Sequence, residues 1–405
     1  MNPASSPVRK RILFVAEAVT LAHLGRPLSL AESLDPEKYE VHFACDPRVE
    51  HLLPETLIRH SLQSIPSDDF LKSLAKGRRL YSFATLLRYT EAELELLDAI
   101  KPDLIIGDMR LSLAVSCTHL KLPYACISNA HWSPYARSVF PMPALPFIAL
   151  FGIALSQRLF NLGRPLAFRS QARPFNQLRK HYNQSPVADI RYSYTLADYT
   201  LYADIPELIP TYGLPANHHY LGFLNWSPSV SKPSWWDQLP DEQANVYLTL
   251  GSSGDINGIS TIIDGLSQLP VNLLIASAGR IPDTTLARDN IFSANYLPGL
   301  EAAQRSALVI CNGGSGTVYQ ALAEGVPVLG IPSNMDQHLT MGYVETAGAG
   351  LFCRSDRLCQ LDIQQKAQQL VSQERYHLAA KLLKKQASKY QASTRFADFL
   401  QNQGF

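Results

Sequence analysis

The stretch Ser306-Ala307-Leu308-Val309-Ile310-Cys311-Asn312-Gly313-Gly314-Ser315-Gly316-Thr317 decides the fold. Its first half is an apolar run that suits a strand covered on both faces, and such strands belong to parallel sheets with helices on each side. Asn312 to Gly316 breaks the run, and Val318 to Glu324 continues as a helical stretch. Strand, glycine turn and helix together present free backbone N–H groups to an anion, and the helix macrodipole adds partial positive charge there. The glycines let the backbone approach a diphosphate closely, and Ser315 and Thr317 add hydroxyl donors. No Lys follows in the Walker position, which excludes a P-loop. A tight structural turn explains glycines as well, so the reading depends on what surrounds them.

Downstream, Gly325-Val326-Pro327 opens a strand that Ile331-Pro332 closes, and Asn334, Asp336 and Gln337 follow directly. Ligands of open parallel sheets bind at the carboxyl ends of strands, so Asp336 and Gln337 fall on the same rim as the glycine turn. A carboxylate beside an amide suits bonding to vicinal hydroxyls, and a capped helix start at Asn334 or Asp336 is compatible with that role. Upstream, short apolar runs alternate with longer amphipathic stretches. Strands are expected near residues 11–16, 40–45, 103–107, 124–128 and 199–203, and again near 246–250, 271–276, 307–311 and 326–331. Helices are expected over residues 27–34 and 81–100, and from about 363 to 399. Residues 221–243 interrupt this rhythm with Pro228, Pro233, Pro240, Trp226, Trp235 and Trp236, and read as an interdomain linker. The fold class is therefore α/β, with two parallel-sheet halves facing each other across that linker.

Composition removes other classes. The 405 residues are 46% hydrophobic and 18% charged, which excludes a disordered chain. Lys and Arg number 36 against 35 Asp and Glu, a net charge of +1, so no general basic field attracts nucleic acid. The six cysteines, Cys45, Cys117, Cys126, Cys311, Cys353 and Cys359, form no CxxC and sit mostly in apolar runs, as buried free thiols of a reducing, cytoplasmic compartment would. No Cys/His spacing supports a zinc site, and the adjacent His218-His219 reads as loop.

The start, Arg9-Lys10-Arg11 followed by Ile12 to Ala16, imitates a signal peptide, but Glu17 ends the apolar run after five residues and a first buried strand fits better. Residues 138–157 carry no charge, yet Pro141, Pro143 and Pro146 break the first half, so a spanning helix is not expected. Arg158, Arg164, Arg169 and Arg173 follow, which allows peripheral contact with a membrane surface; a helix packed on its own domain is the plainer reading.

At this point the sequence resembles a known family. Asn312-Gly313-Gly314-Ser315-Gly316-Thr317, Ala321-Leu322, Gly325-Val326-Pro327, Pro332 and Asp336-Gln337 are similar to the donor signature of family 1 nucleotide-sugar glycosyltransferases, which reads H-G-G-x-G-T, A-L, G-V-P, P and D-Q. Gly251-Ser252-Ser253 resembles the turn opening that family's donor domain, and Tyr296-Leu297-Pro298 the segment meeting the nucleotide base. The resemblance implies a GT-B fold: two Rossmann-like lobes with a donor/acceptor cleft. Residues 1–228 would bind the acceptor, 229–385 the UDP- or dTDP-sugar, and the helix in 386–405 would return to the first lobe. Ser252, Ser315, Gly316 and Thr317 would cradle the diphosphate, and Asp336 and Gln337 would hold the sugar. Two positions depart from the pattern: Asn312 stands where the family usually has a phosphate-touching His, and Gln320 sits near the place of a ribose-binding Glu.

Such a transferase needs a base for the acceptor hydroxyl, and His is suited to it. Ala22-His23, with Pro27 and Leu30-Ala31 beyond, resembles the family's G-H-x-x-P-x-x-x-L-A segment, although Pro27 comes one residue late and Ala22 replaces Gly. His23 is expected in a loop at the rim of the first strand, just before a helix. Asp108, ending the 103–107 strand, resembles the family's His-pairing Asp; a helix cap is the plain alternative. His131 and Trp132 are read as acceptor-side wall. Phe140, Met142, Leu145, Phe147, Ile148, Leu150 and Phe151 point to a lipophilic acceptor. The implied reaction is displacement with inversion, with no metal or other cofactor beyond the nucleotide sugar. A sugar-nucleotide epimerase of the same fold, a non-catalytic transferase-like subunit and a plain α/β protein with structural turns stand as alternatives.

Overall fold

Two all-parallel sheets carry the chain. The computed structural model describes residues 9–142, 148–240, 242–251, 254 and 256–405. Ser252, Ser253, Leu145 and Phe147 lie outside the described residues, as do the side chains of Ile148, Leu150 and Phe151. In the first lobe, β1 (Lys10–Ala16), β2 (Tyr39–Cys45), β3 (Ile58–Ser61), β4 (Leu104–Asp108), β5 (Tyr124–Ser128), β6 (Tyr199–Tyr202) and β7 (His218–Tyr220) form a seven-stranded sheet in the order β3-β2-β1-β4-β5-β6-β7. In the second, β8 (Ala244–Thr249), β9 (Val271–Ala276), β10 (Ile291–Ala294), β11 (Leu308–Cys311), β12 (Val328–Gly330) and β13 (Gly350–Phe352) form a six-stranded sheet in the order β10-β9-β8-β11-β12-β13.

The central strands are apolar because helices cover both faces. Ile12 to Ala16, Leu104 to Ile106 and Leu308 to Cys311 are fully buried. Strand order reverses between β1 and β4 in the first sheet and between β8 and β11 in the second. At such a reversal the connecting helices leave on opposite faces and open a crevice beyond the strand ends. The helix Ala392–Gln403 lies against the first lobe: Phe396 meets the Phe14 ring at 6.1 Å, and Arg395 Nε donates to the Tyr220 carbonyl at 2.7 Å.

Three local expectations are corrected. His218 and His219 form part of β7 rather than a loop. The helix expected from Pro27 begins at Leu21 and holds Pro27 in its interior, so His23 sits in its first turn instead of a preceding loop. Cys359 is exposed, while the other five cysteines are buried.

Candidate active site

The reversal points of the two sheets face one cavity of about 350 Å³, lined by His23, Asp108 and Asp336 together with Asn312, Gly314, Ser315, Gly316 and Thr317. On the donor side, β11 ends at Cys311 and the chain turns through Gly313 at φ 81°, a conformation that favours glycine. The Asn312 Oδ1 accepts from the Gly314 N–H at 3.0 Å, which closes the turn locally. The helix Ser315–Ala323 then starts with Gly314 at its N-cap, and no side chain caps it. The N–H groups of its first turn are therefore left for an outside acceptor. Gly251, Tyr296, Leu297, Gln320 and Gln337 also line the cavity. Gly313 and Pro298 do not appear on its wall: Gly313 shapes the turn and Pro298 precedes the helix Gly299–Gln304.

On the other side, His23 Nδ1 lies 2.8 Å from Asp108 Oδ1, and its ring is partly exposed while Asp108 is fully buried. Arg26 Nη2 also lies 2.9 Å from His23 Nδ1; in the tautomer whose Nδ1 proton goes to Asp108, Nε2 is left for a substrate. Asp108 also receives Arg26 Nε on Oδ2 at 2.8 Å and Arg26 Nη2 on Oδ1 at 2.6 Å. Burial works against the Arg26 charge, but the charge and bonds of Asp108, helped by Asp204 and Asp336, outweigh it and raise the guanidinium pKa. Arg26 is three residues beyond His23, so both reach Asp108 from one helix face. Its Nη1 donates to Asn129 Oδ1 at 2.6 Å, and Asn129 Nδ2 donates to Asp204 Oδ1 at 3.0 Å. Tyr319 of the donor-side helix donates its hydroxyl to the same Asp204 oxygen, and Ser315 Oγ reaches Asn129 Oδ1 at 3.5 Å. One hydrogen-bonded chain thus runs from the glycine-turn helix to His23.

The β1 loop that delivers His23 is fixed from behind. Glu17 is fully buried and accepts from Arg110 Nη1 and from the Tyr89 hydroxyl, each at 2.9 Å. The residue that ended the apolar run is thus an anchor for the loop. Sequence reading missed Arg26, Arg110, Asp204 and Tyr319; only the i, i+3 spacing of His23 and Arg26 offered a signal.

Asp336 is held from across the cleft. His131 Nε2 and Trp132 Nε1 reach its Oδ1 at 2.9 and 2.7 Å. Burial disfavours the carboxylate, yet these two bonds and the neighbouring His131 and His23 lower its pKa to about 2. Trp132 lines the cavity as expected of a wall; His131 is fully buried and serves Asp336 instead. Asn334 and Gln337 form the capping box that starts the helix Met335–Thr346, with Gln337 N–H donating to Asn334 Oδ1 at 3.1 Å, and Gln337 Oε1 also accepts from Ser333 N–H at 2.9 Å. Gln320 Nε2 donates to the Trp226 carbonyl at 2.8 Å. Beyond His23 the cavity wall becomes apolar, with Phe70, Leu71, Leu74, Leu80 and Leu111.

An uncapped helix start facing an imidazole–carboxylate pair, across the cleft of two Rossmann-like lobes, defines a GT-B glycosyltransferase. Comparison with known proteins agrees. Residues 260–398 match the family described as erythromycin biosynthesis protein CIII-like, C-terminal domain. The PGL/p-HBAD biosynthesis rhamnosyltransferase of Mycobacterium bovis is 49% identical over 380 residues, covering 93% of this chain and 84% of that protein. The PGL/p-HBAD biosynthesis glycosyltransferase of Mycobacterium tuberculosis is 48% identical over 386 residues, covering 94% and 90%. Among solved structures, spinosyn rhamnosyltransferase SpnG superposes with a TM-score of 0.72 at 18% identity over 97% of this chain and all of that one, and is also known complexed with thymidine diphosphate and with spinosyn aglycone. The chain belongs to the family 1 glycosyltransferases and is a glycosyltransferase.

Proposed function

We propose that this enzyme moves a hexosyl group from a dTDP- or UDP-sugar to a hydroxyl of a lipophilic acceptor, with inversion and without a metal ion. The observation that carries the reading is that the His23–Asp108 pair and the uncapped helix start at Ser315 to Thr317 line one cavity. In this reading residues 1–228 hold the acceptor and 229–385 the donor. His23 Nε2 takes the acceptor hydroxyl proton as the oxygen attacks the anomeric carbon. The bond from that carbon to the diphosphate oxygen breaks on the opposite face. Asp108, hydrogen-bonded to Arg26 as well as to His23, stabilises the imidazolium. Helix N–H groups and the hydroxyls of Ser315 and Thr317 meet the charge growing on the departing diphosphate. Asn312 supplies an amide, where the family's His could supply charge.

Both bonds from the first lobe fall on Asp336 Oδ1, which supports a reading in which Oδ2 meets the sugar hydroxyls. His131 and Trp132 are then positioning residues for the sugar-binding carboxylate. The rhamnosyltransferase relatives, and the thymidine diphosphate complex of SpnG, make a dTDP-linked deoxyhexose the first donor to assay. The apolar wall at Phe70 to Leu80 favours an acceptor with a long apolar part.

The test is product formation with dTDP-rhamnose and a panel of phenolic lipids, with and without EDTA. His23→Ala should lower kcat by about 10²- to 10⁴-fold, the usual contribution of a general base. Its affinity for thymidine diphosphate, measured by calorimetry, should stay at the wild-type value. Unchanged turnover would reject His23 as base; loss of turnover on adding EDTA would reject the metal-free scheme.

A further inference from the structure

We propose that the outer face of the helical segment beyond the Gly152 kink in Ile148–Gln171 docks on an anionic lipid bilayer. This face does not pack on the protein. Leu155, Leu159, Leu162 and Leu166 are 48%, 51%, 79% and 70% exposed. At about 100° per residue these four fall within one narrow stripe of the helix. The opposite face carries Phe160 and Phe168, which pack with Trp132, Phe140 and Ile190. The helix is therefore apolar outward as well as inward, a pattern that water alone does not favour for a monomer.

Charge identifies the occupant. No Asp or Glu occurs from Met109 to Ala188, while Arg and Lys occur nine times there. Arg158 and Arg169 flank the leucine stripe and are exposed. The far end of the helix is tied to a second basic segment: Arg79 Nε donates to the Ser170 carbonyl at 3.0 Å, and Gln171 Nε2 to the Gly77 carbonyl at 3.2 Å. This sets exposed Lys76 and Arg78 on the same corner. The acidic residues of the neighbouring helix Ser67–Ala75, Asp68 and Asp69, lie in its first turn, about two turns away from that corner. A leucine ridge rimmed by unopposed cations fits the interface of a bilayer containing anionic lipid, where leucines enter the acyl boundary and arginines meet phosphates. Among the described residues no helix is long and apolar enough to cross a membrane, so the contact is peripheral.

The position is also useful to the enzyme. Trp132 joins the buried face of this helix to the cavity wall, and Leu71, Leu74 and Leu80 lead from the basic corner into the cavity. A lipid leaving the bilayer at this corner meets an apolar path toward His23.

The experiment is co-sedimentation of the full chain with vesicles of phosphatidylcholine alone or with roughly one-third phosphatidylglycerol, without donor or acceptor, so that its outcome is independent of the assignment of the base. Wild type should bind the anionic vesicles at least about ten-fold more tightly than the neutral ones. Leu159→Glu with Leu162→Glu should abolish binding, and Arg158→Glu with Arg169→Glu should weaken it, with melting temperature and thymidine diphosphate affinity unchanged in both. No binding by wild type, or equal binding by the leucine variant, overturns the proposal. Wild-type self-association in sedimentation velocity that the leucine variant lacks, without vesicle binding, would assign the face to a second copy and also overturn it.

Discussion

The fully buried Asp108 carboxylate makes three hydrogen bonds, one with His23 and two with Arg26. A buried ion pair gives little net stability as a pair, but removing one member strands the other charge. Arg26→Met should therefore destabilise the fold by about 3–5 kcal/mol in urea titration. Arg26→Met with Asp108→Asn should lose clearly less than the two single changes added together, because neither charge is then left alone. A single variant as stable as wild type would mean that Asp108 does not depend on Arg26. At this scale the sequence was legible only in part. His23 and Asp108 stood out through their resemblance to the family's histidine segment and its paired Asp, near the ends of two expected strands. Arg26, Asp204 and Tyr319 did not, because a buried polar side chain carries no local pattern; its partners lie far away in the chain. Asp336 shows the same limit. Its rim position could be read, whereas its bonds to His131 and Trp132, across some two hundred residues of sequence, could not.

Among elements, the central strands were the clearest, since burial on both faces demands continuous apolar runs. The strands β3, β7, β10 and β13 were not anticipated; Ile58-Arg59-His60-Ser61 and His218-His219-Tyr220 are short and polar. All four lie at sheet edges and pair on one side only, so less apolar content is required of them. The start of the His23 helix was misplaced because Pro27 favours a first helical turn. In the folded chain Pro27 sits inside the helix instead, with no N–H to give the His23 carbonyl four residues earlier. The glycine turn after β11 was legible, and its geometry makes a further prediction. A Cβ on Gly313 would stand 2.7 Å from Met341 Cγ and 3.3 Å from the Gln337 carbonyl oxygen, with φ at 81°. The left-handed conformation alone costs an alanine about 1–2 kcal/mol. Gly313→Ala should lower stability by at least that amount in chemical denaturation. It should also weaken thymidine diphosphate binding in calorimetry, because the turn aims the N–H groups of the following helix. Wild-type values in both measurements would show that the turn tolerates a side chain and does not set the cradle.

Across the whole molecule, two lobes close on each other through polar groups as well as apolar ones, and two histidines titrate well below the ordinary imidazole range. His338 lies in the helix Met335–Thr346, only 1% exposed, with no hydrogen-bond partner on either ring nitrogen. Burial, aided by the charge of Arg354, pushes its pKa down to about 4. His218 falls to about 4 as well, chiefly through burial, with its neighbour His219 adding to the effect. In the unfolded chain both would titrate near 6.5. Between those values the unfolded state binds protons that the folded state refuses, so stability falls as pH is lowered from about 6.5 toward 4 and levels off below. Above 6.5 both histidines are neutral in either state and contribute no slope. Asp336 acts outside this window: its depressed pKa supports the fold above the ordinary carboxylate range and loses that support only as pH falls through about 2. The loss assigned to His338 has a ceiling of about 3 kcal/mol. Thermal or urea unfolding at pH 7, 6, 5 and 4.5 should show a steady fall for the wild type. His338→Gln removes the titration while keeping a polar side chain of similar length, and its slope over the same range should be distinctly shallower. Parallel slopes for the two proteins would mean that His338 takes up its proton within the folded state, and that the acid sensitivity belongs to other groups.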